Sequence, residues 1–345
     1  MPHPRTFRNF VTIGLRLLRL IRVYGLVVTG RTRRVVLPLS KNGLVVRGYK
    51  NSRNSEPPSG VEIFSAFWGS THTSLFRDLS LPSIIQSEIF SSNFKIPINF
   101  VIYCPTEDWL EIESVVHKAT SEAGAKYEWT HFDNTQDTSK NKDSAIKFLR
   151  DRVKIAENFD RVLVFAFPDL IFGRGLDRVI QSMKRGDYVV CLSARADMES
   201  SLESFKRLLD ANRYSNQDLV RISVDKFPHN IVDLAKYKSH SYLRIKKQSD
   251  CFLVTFKAPP PLAIWGSSDL FDRSFERPMF GQIQVLDHDA PNSFFLASKL
   301  RLVADSDFFF WTELTSQDDY KQMINDRFFA ESAIYLNQWE VKWHY

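Results

Sequence analysis

Cysteine is scarce and scattered in this chain, with three residues in 345, at Cys104, Cys191 and Cys251. Their odd number, wide separation and lack of any CxxC spacing argue against a disulfide framework, and a reduced, cytoplasmic setting follows. The common motifs of nucleotide and hydrolase chemistry are missing as well. No GxGxxG, Walker A, HExxH or GxSxG run occurs, so those chemistries lose their usual support. Internal repeats are absent too. Acidic residues are missing from the first fifty positions, which hold eleven Lys and Arg, leaving 35 basic against 40 acidic side chains in the remainder. That is a neutral-to-acidic globule with a basic leading segment, not a uniformly basic nucleic-acid binder.

What is present is a globular composition, 43% hydrophobic and 25% charged, long enough for one large domain or two modest ones. The 28 phenylalanines favour thick apolar layers or an apolar surface for ligand or lipid.

The basic segment PRTFRNFVTIGLRLLRLIRVYGLVV has helical periodicity. At about 100° per residue, Arg5, Arg8, Arg16, Arg19 and Arg22 share one arc of about 120°. Phe10, Ile13, Leu17, Leu18, Leu20 and Ile21 take the opposite face. So many arginines exclude an ordinary membrane span, and an amphipathic helix in the interface of an anionic membrane fits, with Arg31, Arg33 and Arg34 extending the charge over residues 5–34. A helix packed on the domain and a cleaved presequence also fit the pattern.

Residues 1–50 thus form a basic amphipathic N-terminal segment and the polar, proline-containing 51–60 a linker. Residues 61–200 alternate strand-like and helix-like stretches: VEIFSAFWG, a helical stretch broken near Pro82, INFVIYC, a capped helix ending at Gly124, KYEWTHFD, the helix from Asp143, RVLVFAFPDLIF, a helix from Gly175, and DYVVCLSAR. This order predicts a mostly parallel sheet flanked by helices. Ligands of such sheets sit beyond the carboxyl ends of the strands, which puts Gly69–Thr71, Asp133 and Asp169 on one rim. Residues 201–345 form a C-terminal α+β portion, helical at first and then strand-like.

Several residues carry candidate chemistry. Asp169 interrupts an apolar run, and a charge there must be paired, hydrogen-bonded or bound to a cation; a helix-capping or loop aspartate meets the same need. Asp287, His288 and Asp289 stand in a row, and extension would put the two carboxylates on one side, as a metal contact or a base for an acceptor hydroxyl; a solvated turn closed by Pro291 is the other reading. Asp305 and Asp307 form a literal DxD before a very apolar run, or simply the turn that precedes it. Arg195 can meet a phosphate or carboxylate bidentately, and Trp68 beside Gly69 can stack on a base or pack in the core. His229 and His240 suit an acceptor or phosphate site, or an ordinary structural role.

The order of these pieces resembles the nucleotide-diphospho-sugar transferase (GT-A) fold of glycosyltransferases, through the helix AIKFLRDRVKIAENFD, the strand RVLVFAFPDLIF and the glycine after it. FSAFWGSTHTSLFRDLSLPSI, PDLIFGRG, LSAR, the histidine at His240, Trp265 before LDHDAP, and ADSDFFFWTEL are similar to segments of a poorly characterised bacterial glycosyltransferase-like group, across residues 61–316. The resemblance implies a GT-A-like α/β fold, with a nucleotide-sugar donor held by Trp68, Gly69, Thr71, Asp133, Asp169 and Arg195. Within that reading the candidate chemistry noted above assigns Asp287, His288 and Asp289 as catalytic groups, and His240, Asp305 and Asp307 to the acceptor side. In that family a DxD motif holds a divalent metal on the diphosphate, implying Mn²⁺ or Mg²⁺ at Asp169. Here Phe167 and Ile171 stand where a second carboxylate would be. The implied acceptor is a glycan or glycolipid intermediate at the inner membrane face. A form that has lost the chemistry and serves as a membrane-attached binding or scaffold protein is the other reading; a nucleotidyltransferase would need a Gly/Arg/Lys-rich loop after the first strand, and WGSTHTS has no Arg or Lys.

Overall fold

The computed structural model describes residues 44–46, 56–134, 138–226, 243–256, 261–266, 300–316 and 339–345. The expected amphipathic helix and the basic residues that extend its charge over 5–34, together with His229, His240 and Asp287–Asp289, lie outside the described residues.

The first half runs β1 (Leu44–Val46), β2 (Gly60–Ala66), α1 (Ser70–Leu75), α2 (Leu81–Ile85), β3 (Ile98–Tyr103), α3 (Thr106–Glu122), β4 (Lys126–Thr130) and α4 (Thr138–Asn158). It continues with β5 (Arg161–Phe165), β6 (Leu170–Phe172), α5 (Leu176–Ser182), β7 (Tyr188–Cys191), β8 (Ala194–Asp197), α6 (Met198–Asp210) and α7 (Asn216–Asp225). Strands follow: β9 (Leu243–Lys247), β10 (Cys251–Phe256), β11 (Pro261–Trp265), β12 (Leu300–Val303), β13 (Trp311–Thr315) and β14 (Trp339–His344).

The main sheet has eight strands in the order β1-β12-β7-β11-β5-β2-β3-β4. Pairing is parallel from β5 through β2 and β3 to β4, and between β12 and β7; β11 runs against both β5 and β7, and β1 against β12. Six strands therefore share one direction. This is the mixed α/β, mostly parallel arrangement expected from the strand–helix alternation, and it is compatible with a GT-A-like fold.

The period-2 alternation of the strands feeds two apolar layers. Val61, Ile63, Phe100, Ile102, Val162 and Val164 face one layer, filled from α2, α3 and α5 by Ile84, Ile112, Val116, Val179 and Ile180. Phe64, Val101, Leu163 and Phe165 face the other, filled from α4 by Ile146, Leu149 and Val153 and from α6 and α7 by Phe205, Leu209, Leu219 and Val220. The buried Glu62 is matched in that second layer by Arg152 at 2.8 Å and Arg161 at 2.7 Å, so its charge is paired where burial would otherwise be costly.

The break near Pro82 is a wide turn over Phe76–Ser80 that joins α1 to α2, with Pro82 in the first turn of α2. Proline has no N–H to return to the preceding turn, so the helix restarts there. Two expected strands are also divided. RVLVFAFPDLIF becomes β5 and β6, and DYVVCLSAR becomes β7 and β8. In each case the second piece leaves the main sheet for a small one, ordered β6-β13-β8. A third sheet, β14-β10-β9, is antiparallel throughout. Among the described residues no helix is long and apolar enough to cross a membrane.

Candidate functional site

Where β5 gives way to β6, Leu170 N donates to Phe167 C=O at 3.1 Å and Ser80 Oγ donates to the same carbonyl at 3.2 Å. Pro168 offers no N–H, which suits a place where sheet pairing stops. The Asp169 carbonyl accepts from Leu314 N at 2.9 Å, so the turn is fastened to β13 through backbone while the half-buried carboxylate lies at a cleft.

That cleft has a volume of about 310 Å³ and opens at the carboxyl ends of β2 and β5. Ala66 ends β2 and Phe67 and Trp68 follow it; Phe167, Pro168 and Asp169 follow β5; His72 comes from α1, Lys142 from α4, and Trp311 and Glu313 from β13. The surface is largely apolar with a few charged groups set into it, the usual make-up of a small-molecule site.

The loop after β2 is built around Gly69, whose φ of 83° and ψ of 149° belong to a region that is essentially glycine's alone. Its N–H donates to Asp108 Oδ2 at 2.9 Å, and Thr73 Oγ1 donates to Asp108 Oδ1 at 2.8 Å. Asp108, buried in the first turn of α3, thus pins both the loop and the start of α1. Trp68, held beside that glycine, meets Phe132 edge-on at 6.1 Å; Phe132 stacks on Tyr103 at 4.8 Å and Tyr103 on Phe148 at 4.2 Å. Tyr103 Oη lies 2.7 Å from Ser144 Oγ on α4. One side of the cleft is therefore backed by a braced aromatic stack.

On β13, Glu313 is opposite Leu170 of β6 and Arg195 of β8. Its carboxylate accepts from Ser193 Oγ at 3.1 Å and pairs with Arg195 at 2.9 Å, with the two ionic side chains 17% and 15% exposed. Pairing and hydrogen bonding fix Glu313 in one orientation at the cleft wall.

Trp68 and Asp169 line the cleft together. Gly69 and Thr71 lie immediately behind Trp68, in the loop and on α1, and Arg195 reaches the cleft through Glu313. Asp133 is exposed after β4, outside the lining. Asp305 and Asp307 precede the amino end of β13, also outside it. His72, Lys142, Trp311 and Glu313 are not among the residues expected from sequence. Glu313 reaches the cleft by strand register, which no local spacing encodes, and Lys142 falls in the opening turns of a helix that starts five residues before the expected Asp143.

Asp305, Asp307 and His344 offer ligand atoms all within 4.8 Å of one another, a set a divalent metal can accept. His344 Nε2 is 3.4 Å from Asp305 Oδ1, which also accepts from Asp307 N at 2.9 Å. A metal at Asp169 is served less well. Hard divalent ions want several oxygen ligands; Ile171 is fully buried, Phe167 presents an apolar ring, and Glu313 is already held by Arg195 and Ser193. The cleft residues do not make a metal site of the kind that the resemblance implies.

No protein-family model matches the chain, and no curated protein matches it by sequence. Among solved structures it is similar to mouse xyloside xylosyltransferase 1 in its apo form, with a TM-score of 0.29 and 9% identity over 43% of this chain and 58% of that one. The chain thus spans less than two thirds of that structure, and at this TM-score the functional reading rests on the cleft itself.

Proposed function

We propose that the chain is a glycosyltransferase that takes a sugar from a nucleotide-sugar donor bound in the cleft at the carboxyl rim of β2 and β5. The observation that carries this reading is the joint presence there of a braced aromatic surface at Trp68 and the carboxylates of Asp169 and Glu313. Aromatic faces stack on bases or on the apolar faces of sugars. Fixed carboxylates accept hydrogen bonds from sugar hydroxyls, and one oriented by an arginine does so without having to reorganise. Catalysis on this reading consists of positioning an acceptor hydroxyl against the anomeric carbon and stabilising the departing nucleoside phosphate.

The acceptor on this proposal is a glycan or glycolipid intermediate at the cytoplasmic membrane face. The basic residues 5–34 would bring the protein to anionic lipid, and Asp287, His288, Asp289 and His240 would serve acceptor binding and proton removal. The lone Asp169 favours one other reading, a domain that keeps the cleft for binding and has lost turnover.

Calorimetry on the full chain with UDP-, GDP- and CMP-sugars, each with and without Mn²⁺, tests the proposal. One donor class should bind, and Asp169→Asn should abolish its binding or turnover while leaving the melting temperature within a few degrees. Failure of all three classes to bind would remove the enzyme reading; binding without any transfer or donor hydrolysis would favour the binding or scaffold reading.

A further inference from the structure

We infer that the cleft counters the charge of the nucleoside diphosphate with Lys142, assisted by His72, in place of a divalent cation. The inference rests on the donor-site reading above. It starts from the mismatch at Asp169, whose single carboxylate offers too few oxygens for a divalent metal, since the neighbouring carboxylate of Glu313 is neutralised by Arg195 at 2.9 Å. Recruiting Glu313 to a cation would mean breaking a largely buried ion pair, which is costly.

Positive charge is already provided by the fold. Lys142 lines the cleft from α4 with its side chain half-buried, and among the described residues it has no carboxylate partner. His72 lines it from α1, likewise without an ion-pair partner among the described residues. The other cations near the rim are committed: Arg195 to Glu313, and Lys206 and Arg77 to Asp78. An unpaired ammonium in a largely apolar cleft is a ready partner for phosphate oxygens, and low local polarity strengthens that interaction.

In the transfer step the bond between the anomeric carbon and the β-phosphate oxygen breaks, and its electron pair stays on that oxygen. The acceptor oxygen forms the new bond to the anomeric carbon and releases its proton to solvent or to a carboxylate. The negative charge that grows on the departing diphosphate falls beside the Lys142 ammonium, which donates hydrogen bonds to it, with the His72 imidazole as a second donor.

Calorimetry with UDP- and GDP-sugars tests this on the full chain in excess EDTA and in Mn²⁺, with Lys142→Gln and Lys142→Arg alongside and melting temperatures recorded for each. Expected is donor binding in EDTA of about the same affinity as in Mn²⁺. Lys142→Gln should weaken it at least about tenfold, the loss of one charge-assisted hydrogen bond, and Lys142→Arg should restore most of it at an unchanged melting temperature. Binding that requires Mn²⁺, or Lys142→Gln binding as tightly as the parent, overturns the inference and leaves the donor-site reading intact. No binding of any nucleotide-sugar in any arm overturns both.

Discussion

Single residues decide how the cleft is held. Gly69 combines a backbone conformation open to glycine with a hydrogen bond to the buried Asp108 carboxylate, so the residue that follows Trp68 is fixed twice. Gly69→Ala imposes a strain of about 1–3 kcal/mol. Chemical denaturation should show a loss of that order, and Trp68 fluorescence should become more solvent-exposed. Asp108→Ala removes the acceptor for Gly69 N and Thr73 Oγ1 and should cost a similar amount, about 1–3 kcal/mol. Gly175 is constrained differently. Its φ is 99°, and a Cβ there would sit 2.0 Å from the Phe308 carbonyl, so alanine at 175 displaces the turn before β13. Asp169, conspicuous in sequence as a lone charge in an apolar run, marks the break where a strand changes sheets.

At the scale of elements, alternation and capping made β2, β3, β4, α3, α6 and the parallel order legible, because each buries a face set by local periodicity. The division of RVLVFAFPDLIF was only half legible. Pro168 signals that pairing stops, but the departure of β6 to pair with β13 depends on a partner some 140 residues away. The same holds for Glu313, opposite Arg195 by register alone, and for His344, which joins Asp305 and Asp307 from the last strand. The helix α7 shows what local sequence does specify. Ser215 Oγ accepts from Asp218 N, and the Asp218 carboxylate accepts from Ser215 N at 2.9 Å, a reciprocal capping box. Ser215→Ala should destabilise the chain by about 1 kcal/mol in denaturant titration. Partial burial acts to raise the Asp218 pKa, but the hydrogen bonds from Ser215 and the nearby Arg221 outweigh it and hold the carboxyl below its ordinary 3.8. A depressed carboxyl pKa contributes stability above the unfolded value and loses it as pH falls through the folded one. The stability gap between the parent and Asp218→Asn should therefore be constant near neutrality and shrink below about pH 4. A gap that widens on acidification would contradict this assignment.

At the scale of the molecule, two apolar layers enclose a sheet whose charges are paired at Glu62 with Arg152 and at Asp187 with Arg301; Cys104 and Cys191 share that interior, and Cys251 is buried on the third sheet. Burial pushes the Cys104 thiol up to about 12 and the Cys191 thiol well above its usual range; Cys251 is raised by burial and by the adjacent Asp250. All three cysteines are free and buried, so none should react with a thiol reagent at pH 8 until the chain is unfolded, when all three should. Rapid native labelling would show that a layer is open. On the proposal above, the cleft at the rim of β2 and β5 is where charge and an aromatic surface meet a nucleotide-sugar. A crystal of the full chain soaked with UDP-, GDP- and CMP-sugars tests that claim most directly. A nucleotide-sugar should occupy the cleft between Trp68 and Asp169, with its phosphates beside Lys142. A nucleotide bound elsewhere on the molecule, with this cleft left empty, would contradict it.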